Sequence, residues 1–185
     1  MIPPKFAACL LLTVLFCRAQ STCTPLELKP GLLIVCAKGF TTGDCRNRQA
    51  AVKLALEAIH PPLQDWRFLI VPDHHWRHAC VAFGRQRWVP AFTNLESHAT
   101  YLNSRLAVLF EPPGFDEELA RFSPFTGVQR LEWVLGHELG HILCGTPDQE
   151  IAEDVGNRLR LSPSRPVDCR NRRYVSPAPR PLLGF

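Results

Sequence analysis

Residues 133–154, WVLGHELGHILCGTPDQEIAED, set two histidines and a glutamate into an otherwise largely apolar run. That combination restricts the fold, because polar side chains in a buried helix need partners and are costly without them. His137 and His141 are four residues apart, about 40° on a helix, and so share one face. Val128, Leu131, Leu135, Leu139, Ile142 and Leu143 cluster on the opposite face. The pattern predicts a helix over 126–144 with a core side and a polar side. Gly145 ends it. Thr146-Pro147-Asp148-Gln149 then reads as a T-x-x-Q capping box with proline in the first helical position, opening a helix over 147–160. So short a turn makes the two helices an antiparallel hairpin.

His137-Glu138-Leu139-Gly140-His141 also fits H-E-x-x-H. Two imidazoles on one face can reach a single metal ion, and Glu138, turned to the flank, can deprotonate a water at that ion. The bland alternative is a buried helix whose histidines pair with each other or with Glu138. From the chain's own His and Glu usage, a chance match has a probability of about one per cent. A metal supplies the missing partners directly, so one catalytic zinc ion is expected, with three protein ligands and an open fourth position. The third ligand is expected on the returning helix, where Glu150, Glu153 and Asp154 pass the level of His141 and then His137.

The motif resembles that of the zincin metallopeptidases, and Glu-x-x-x-Asp at Glu150 and Asp154 resembles their gluzincin branch. The likeness covers residues 133–157. It implies that His137, His141 and Glu150 bind zinc, that Glu138 is the general base, and that Asp154 orients a ligating histidine through its second nitrogen. The chain departs from the family in the short spacing from His141 to Glu150. A second register matches Ala152-Glu153-Asp154-Val155-Gly156 to the A-D-x-x-G of some membrane-associated relatives. It sets Gln149, a poor ligand, at the metal, with Glu153 as the natural substitute. A metzincin-like register would use Asp148. The ranking is Glu150, then Glu153, then Asp148. Zincins also carry a substrate-aligning edge strand before the active helix, for which 97–103 or 105–110 are candidates. Tyr101, Tyr174 or a histidine could stabilise an oxyanion by chemistry alone.

The rest of the chain sets the context. Residues 1–19 read as a secretory signal peptide: Lys5, an apolar run over 6–16, and Ala19 at the cut. The run is too short to span a bilayer, and an acylated Cys17 would place bulky Phe16 beside the cut. Export makes the remaining six cysteines (23, 36, 45, 80, 144, 169) most simply three disulfides. Residues 20–160 form one domain, followed by a basic, Pro-rich tail over 161–185 pinned at Cys169. Residues 158–185 hold seven arginines against Asp168, net +6, whereas residues 20–157 are net −4 from 12 Lys/Arg and 16 Asp/Glu. The tail is read as a solvated end, and no nucleic acid is expected.

Strands are expected over 31–37 and 65–73, with short ones in CVAFG (80–84) and RWVPAFT (87–93) and at least one in 97–113. A helix is expected after Gly43-Asp44, stopped by Pro61-Pro62. His74, His75 and His78 are read as a surface loop, with a second metal site or a pocket wall as the alternative. The fold class is therefore α+β: a small twisted sheet packed on an active-site helix and a following antiparallel helix. The implied protein is a secreted or periplasmic monomer without a stable membrane span, a zinc metallopeptidase acting on a peptide or protein substrate. The rival reading is a non-catalytic metal-binding module that recognises a protein partner.

Overall fold

A computed structural model describes residues 23–109, 125–162 and 166–169. The expected signal peptide, Tyr174 and most of the basic tail lie outside them. The elements run β1 (Leu26–Lys29), β2 (Leu32–Cys36), α1 (Thr42–Ile59), β3 (Trp66–Val71), α2 (Asp73–Ala82), β4 (Ala91–Asn94), β5 (Ala99–Asn103), α3 (Gly127–Cys144) and α4 (Gln149–Leu161). The α+β class holds, and the sheet is mixed, with strand order β1-β2-β3-β5-β4. β2, β3 and β5 are parallel, while β1 and β4 join antiparallel at the two edges.

Local chemistry explains most boundaries. Thr41 caps α1 by accepting from the Asp44 N–H at 3.1 Å, and the left-handed His60 ends it just before Pro61-Pro62. Gly31 (φ +77°) turns β1 into β2, and β1 itself was not anticipated. The central strands alternate between two faces, as the period-2 pleat demands. Ile34, Phe68, Ile70 and Leu102 face a core shared with α1, α3 and α4. Val71, Phe92, Ala99 and Tyr101 face a second cluster, covered by Trp76, Ala79 and Cys80 of α2.

Several expectations are corrected. The histidine-rich segment at 73–82 is a helix, and its last turn takes up the start of the expected strand CVAFG. The run HHWRHACV holds its apolar residues Trp76, Ala79 and Cys80 at helical spacing, burying one side. The stretch 97–103 is not an edge strand, because β5 is paired on both sides; the edges are β1 and β4. Residues 105–109 form no strand, and Leu106 and Ala107 are buried in the core instead. Disulfide bonding is present, but among the described residues the six cysteines do not divide into three separate pairs. Cys144 bonds Cys169, pinning the tail as expected, but Cys80 is a buried thiol, and Cys23, Cys36 and Cys45 crowd together. No helix among the described residues is long and apolar enough to cross a membrane.

The contact that positions the candidate site is the α3–α4 hairpin. Its backbones approach through Gly136 and Gly140 on α3 and Ala152 and Gly156 on α4. A Cβ added at Gly140 would run into the Ala152 backbone, and one at Gly156 would lie 2.6 Å from the Gly136 carbonyl carbon. Gly140→Ala is therefore expected to cost about 3 kcal/mol and to lower Tm by roughly 5–10 °C. Gly43→Ala, where a Cβ would meet only Thr41 Oγ1 at 3.9 Å, should leave Tm within a few degrees. Thermal melts of the two variants check this, and an unchanged Tm for Gly140→Ala contradicts it.

Candidate metal centre

Leu131, Leu135 and Leu139 lie fully buried on one side of α3, with Val128, Ile142 and Leu143 packed partly against the core. Gly145 ends the helix in the left-handed region (φ +57°), as its sequence position implied. On the other side, the rings of His137 and His141 meet edge-on with centroids 4.8 Å apart. His141 and Glu138 are buried, and His137 is 20% exposed.

Hydrogen bonds define the tautomers. His141 Nδ1 lies 2.8 Å from the Thr146 carbonyl oxygen, which can only accept. Its proton therefore sits on Nδ1, leaving a lone pair on Nε2. His137 Nδ1 lies 3.0 Å from Glu153 Oε2. Glu153 also accepts from Trp133 Nε1 at 3.1 Å and from Asn157 Nδ2 at 3.0 Å. Burial would raise this carboxyl, but the His137 contact and those two donors outweigh it and hold Glu153 below its ordinary range. An ionised Glu153 requires His137 to donate through Nδ1. Both Nε2 atoms then turn to one place, which the Gln149 side-chain amide occupies. Its Oε1 is 3.0 Å from His137 Nε2 and, as an amide oxygen, can only accept, so His137 donates through both nitrogens. The Gln149 Nε2, which also donates to the Pro147 carbonyl, is 3.3 Å from His141 Nε2.

Burial works to lower the pKa of His137, but Glu153, the Glu138 charge and Gln149 together raise it above the ordinary value. His141 moves the other way, chiefly through desolvation. Glu138 is raised mainly by burial, against the opposing pull of His137, Thr93 and Arg85.

Sequence reasoning missed the line of groups that ends on Glu138. Trp66 Nε1, a donor only, gives its hydrogen to Thr100 Oγ1 at 3.0 Å. Thr100 and Thr93 share a hydrogen bond of 3.0 Å, and Thr93 in turn bonds the Glu138 carboxyl. The direction follows from the end groups: Trp66 to Thr100, Thr100 to Thr93, Thr93 to Glu138. No short motif marks it, since its members come from β3, β5 and β4. Glu138 Oε2 remains buried without a hydrogen-bond partner.

The acidic residues of α4 fall differently from the first-ranked expectation. Glu150 is exposed at the start of α4, and its backbone N–H bonds Asp148 Oδ1 at 2.9 Å. Asp154 pairs with Arg158 rather than with a histidine. Asp148 caps α4 by accepting from the N–H groups of Glu150 and Ile151, displacing Thr146 from the expected cap. Among the described residues, no group of three His, Cys, Asp or Glu ligand atoms includes the two histidines. The cause is helical phase. Gln149, Ala152, Glu153 and Gly156 share the stripe that meets α3, and Glu150 and Asp154 lie about 100° round from Gln149 and Glu153. The small residues at 136, 140, 152 and 156 were the available signal for that phase. Tyr101 stacks with Phe92 and packs on Phe83, on the sheet face away from α3, so it is no oxyanion candidate here.

The donor set fits a metal ion: two imidazole Nε2 atoms converge on one neutral amide, a metal taking the place of the proton on His137 Nε2, each ring's other nitrogen is committed to an acceptor, and a partnerless carboxyl oxygen lies on the residue next to His137. No protein-family model, curated protein or solved structure matches this chain.

Thr93→Val removes a donor that favours the ionised form of Glu138, so the pKa of this carboxyl should rise further. Carbon-detected titration of the Glu138 carboxyl reads the midpoint, and an unmoved midpoint contradicts the hydrogen-bond line.

Proposed function

We propose that the protein is an exported zinc-dependent metallopeptidase. The observation that carries this reading is the convergence of both histidine Nε2 atoms on the one Gln149 amide, with Glu138, whose charge acts on His137, keeping a buried, partnerless Oε2. His137 and His141 would hold the ion, with Gln149 Oε1 within reach as a neutral third donor and Glu153 fixing His137 through Nδ1. Zinc supplies Lewis acidity, polarising a peptide carbonyl and acidifying the water beside it. Glu138 Oε2 takes the proton of the attacking water and returns it to the leaving amide nitrogen. Its raised pKa suits it to hold that proton between the two transfers. The sheet borders α3 through β4, an edge strand whose outer backbone groups suit an extended peptide. The Cys144–Cys169 bond fits an oxidising compartment, which supports export.

A second reading has one specific observation in its favour. Gln149, rather than a carboxylate, stands between the histidines, and a neutral amide binds zinc less tightly than a carboxylate does. A zincin-like module that holds metal and recognises a protein partner without cleaving it would need no stronger site.

Zinc content and peptide hydrolysis, measured on wild type and on Glu138→Gln, separate the two. The enzyme reading expects one zinc per chain in both proteins and a loss of hydrolysis of about a hundredfold or more in the variant. Zinc in both with no hydrolysis by wild type supports the module, and a folded wild type without zinc overturns both readings. Glu153→Ala should weaken zinc about 10–100-fold, while Glu150→Ala should leave it unchanged.

A further inference from the structure

Resting on the peptidase reading, we propose that Arg85 recognises a carboxylate of the substrate beside the cleaved bond, so that the protein acts on peptides that are negatively charged there. Arg85 lies in the loop between α2 and β4, and the backbone of that loop is tied at both ends. Phe83 ends α2 and packs on Phe92 and Tyr101, with ring centroids 5.4 and 4.8 Å away. Gly84 turns the chain in the left-handed region (φ +63°), and the Arg85 N–H bonds the Cys80 carbonyl oxygen at 2.7 Å. At the other end, Trp76 donates Nε1 to the Val89 carbonyl at 3.0 Å. The Arg85 side chain is exposed, and so is Trp88 of the same loop, at 53%.

The loop leads straight into the strand that borders the candidate metal centre. On β4, Phe92 faces the cluster under α2, while Thr93 turns to α3 and bonds the Glu138 carboxyl. β4 is also an edge of the sheet. A peptide paired with its outer backbone groups would pass the loop that carries Arg85.

The charge of Arg85 has no counter-ion of its own. Among the described residues, no carboxylate lies within ion-pair distance of its guanidinium. Its field nevertheless reaches two groups of the site, favouring the ionised form of Glu138 and opposing a proton on His141. A single cation that acts on both side chains has to stand near the two of them. The groups gathered at the site, His137, His141 and Gln149, bring no negative charge, so the local field favours an entering anion. A guanidinium matches a carboxylate with two parallel hydrogen bonds. That carboxylate has two sources in a peptide, the free C-terminus or an Asp or Glu side chain. Stabilising an oxyanion is the competing role, and the exposure of Arg85 disfavours it, since such donors act where water is excluded.

Two pairs of fluorescent peptides separate the sources: a free against an amidated C-terminus, and an internal Glu against Gln with both ends blocked. Anisotropy reads their binding to the zinc-loaded full chain, and product analysis reads hydrolysis. Wild type is expected to favour the acidic member of one pair about tenfold, in Kd and in KM. Arg85→Gln should erase that preference by weakening the acidic member, and Arg85→Lys should keep part of it. Arg77→Gln, the same change of charge on an exposed position of α2, should keep it in full. Equal affinity for acidic and neutral peptides in wild type overturns the proposal, as does a preference that survives Arg85→Gln. A uniform fall in kcat on acidic and neutral substrates alike also overturns it, since that marks an oxyanion role. If no peptide is cleaved, the peptidase reading fails, while the binding preference still decides the role of Arg85.

Discussion

The geometry of the candidate site depends on how closely two helix backbones approach. Gly136 and Gly140 of α3 lie against Gly156 and Ala152 of α4 with no room for larger side chains. This close contact sets the rotation of α4 about its axis, because only one stripe of α4 is small enough to meet α3. Gln149 and Glu153 sit on that stripe and arrive at the histidines, while Glu150 and Asp154 are carried away. Asp148 fixes the start of the same helix by capping two of its N–H groups. Packing thus decides which polar residues reach His137 and His141.

Polar groups around the histidines form two supports from opposite sides. From α4 and the hairpin turn, Glu153 and the Thr146 carbonyl accept from the Nδ1 atoms and turn both Nε2 atoms to the Gln149 amide. From the sheet, the line Trp66–Thr100–Thr93 reaches Glu138, whose burial raises its pKa. The parallel pairing of β3 with β5 and the antiparallel pairing of β5 with β4 bring that line together from three separated stretches of chain. A low-dielectric setting makes each of these bonds matter more, since an unmet partner there is costly.

Much of this was legible in the sequence, and the remainder was not for identifiable reasons. The two faces of α3, its end at Gly145, and the strands at Leu32–Cys36 and Trp66–Val71 follow from periodicity and punctuation. HHWRHACV misled because its histidines read as a loop, while the burial of Trp76, Ala79 and Cys80 made a helix. β5 could not be told from an edge strand, since pairing on both sides is a property of the sheet order. Glu150 outranked Glu153 through a motif register, and a shift of one residue on a helix is about 100° of rotation. The Glu138 line is purely tertiary. The cysteine count suggested three bridges, but the isolation of Cys80 from other cysteines is set by the packing of α2 on the far side of the sheet.

The central claim is that α4 and the turn hold both imidazoles by donation from Nδ1, so that both Nε2 atoms face the Gln149 amide. Long-range proton–nitrogen NMR of the histidine rings tests it most directly, before and after one equivalent of zinc. The account predicts a protonated Nδ1 on His137 and His141 with and without metal, a proton on His137 Nε2 that is lost when zinc is added, and a shift of both Nε2 resonances. A missing Nδ1 proton on either ring, or Nε2 resonances unmoved by zinc, would contradict it.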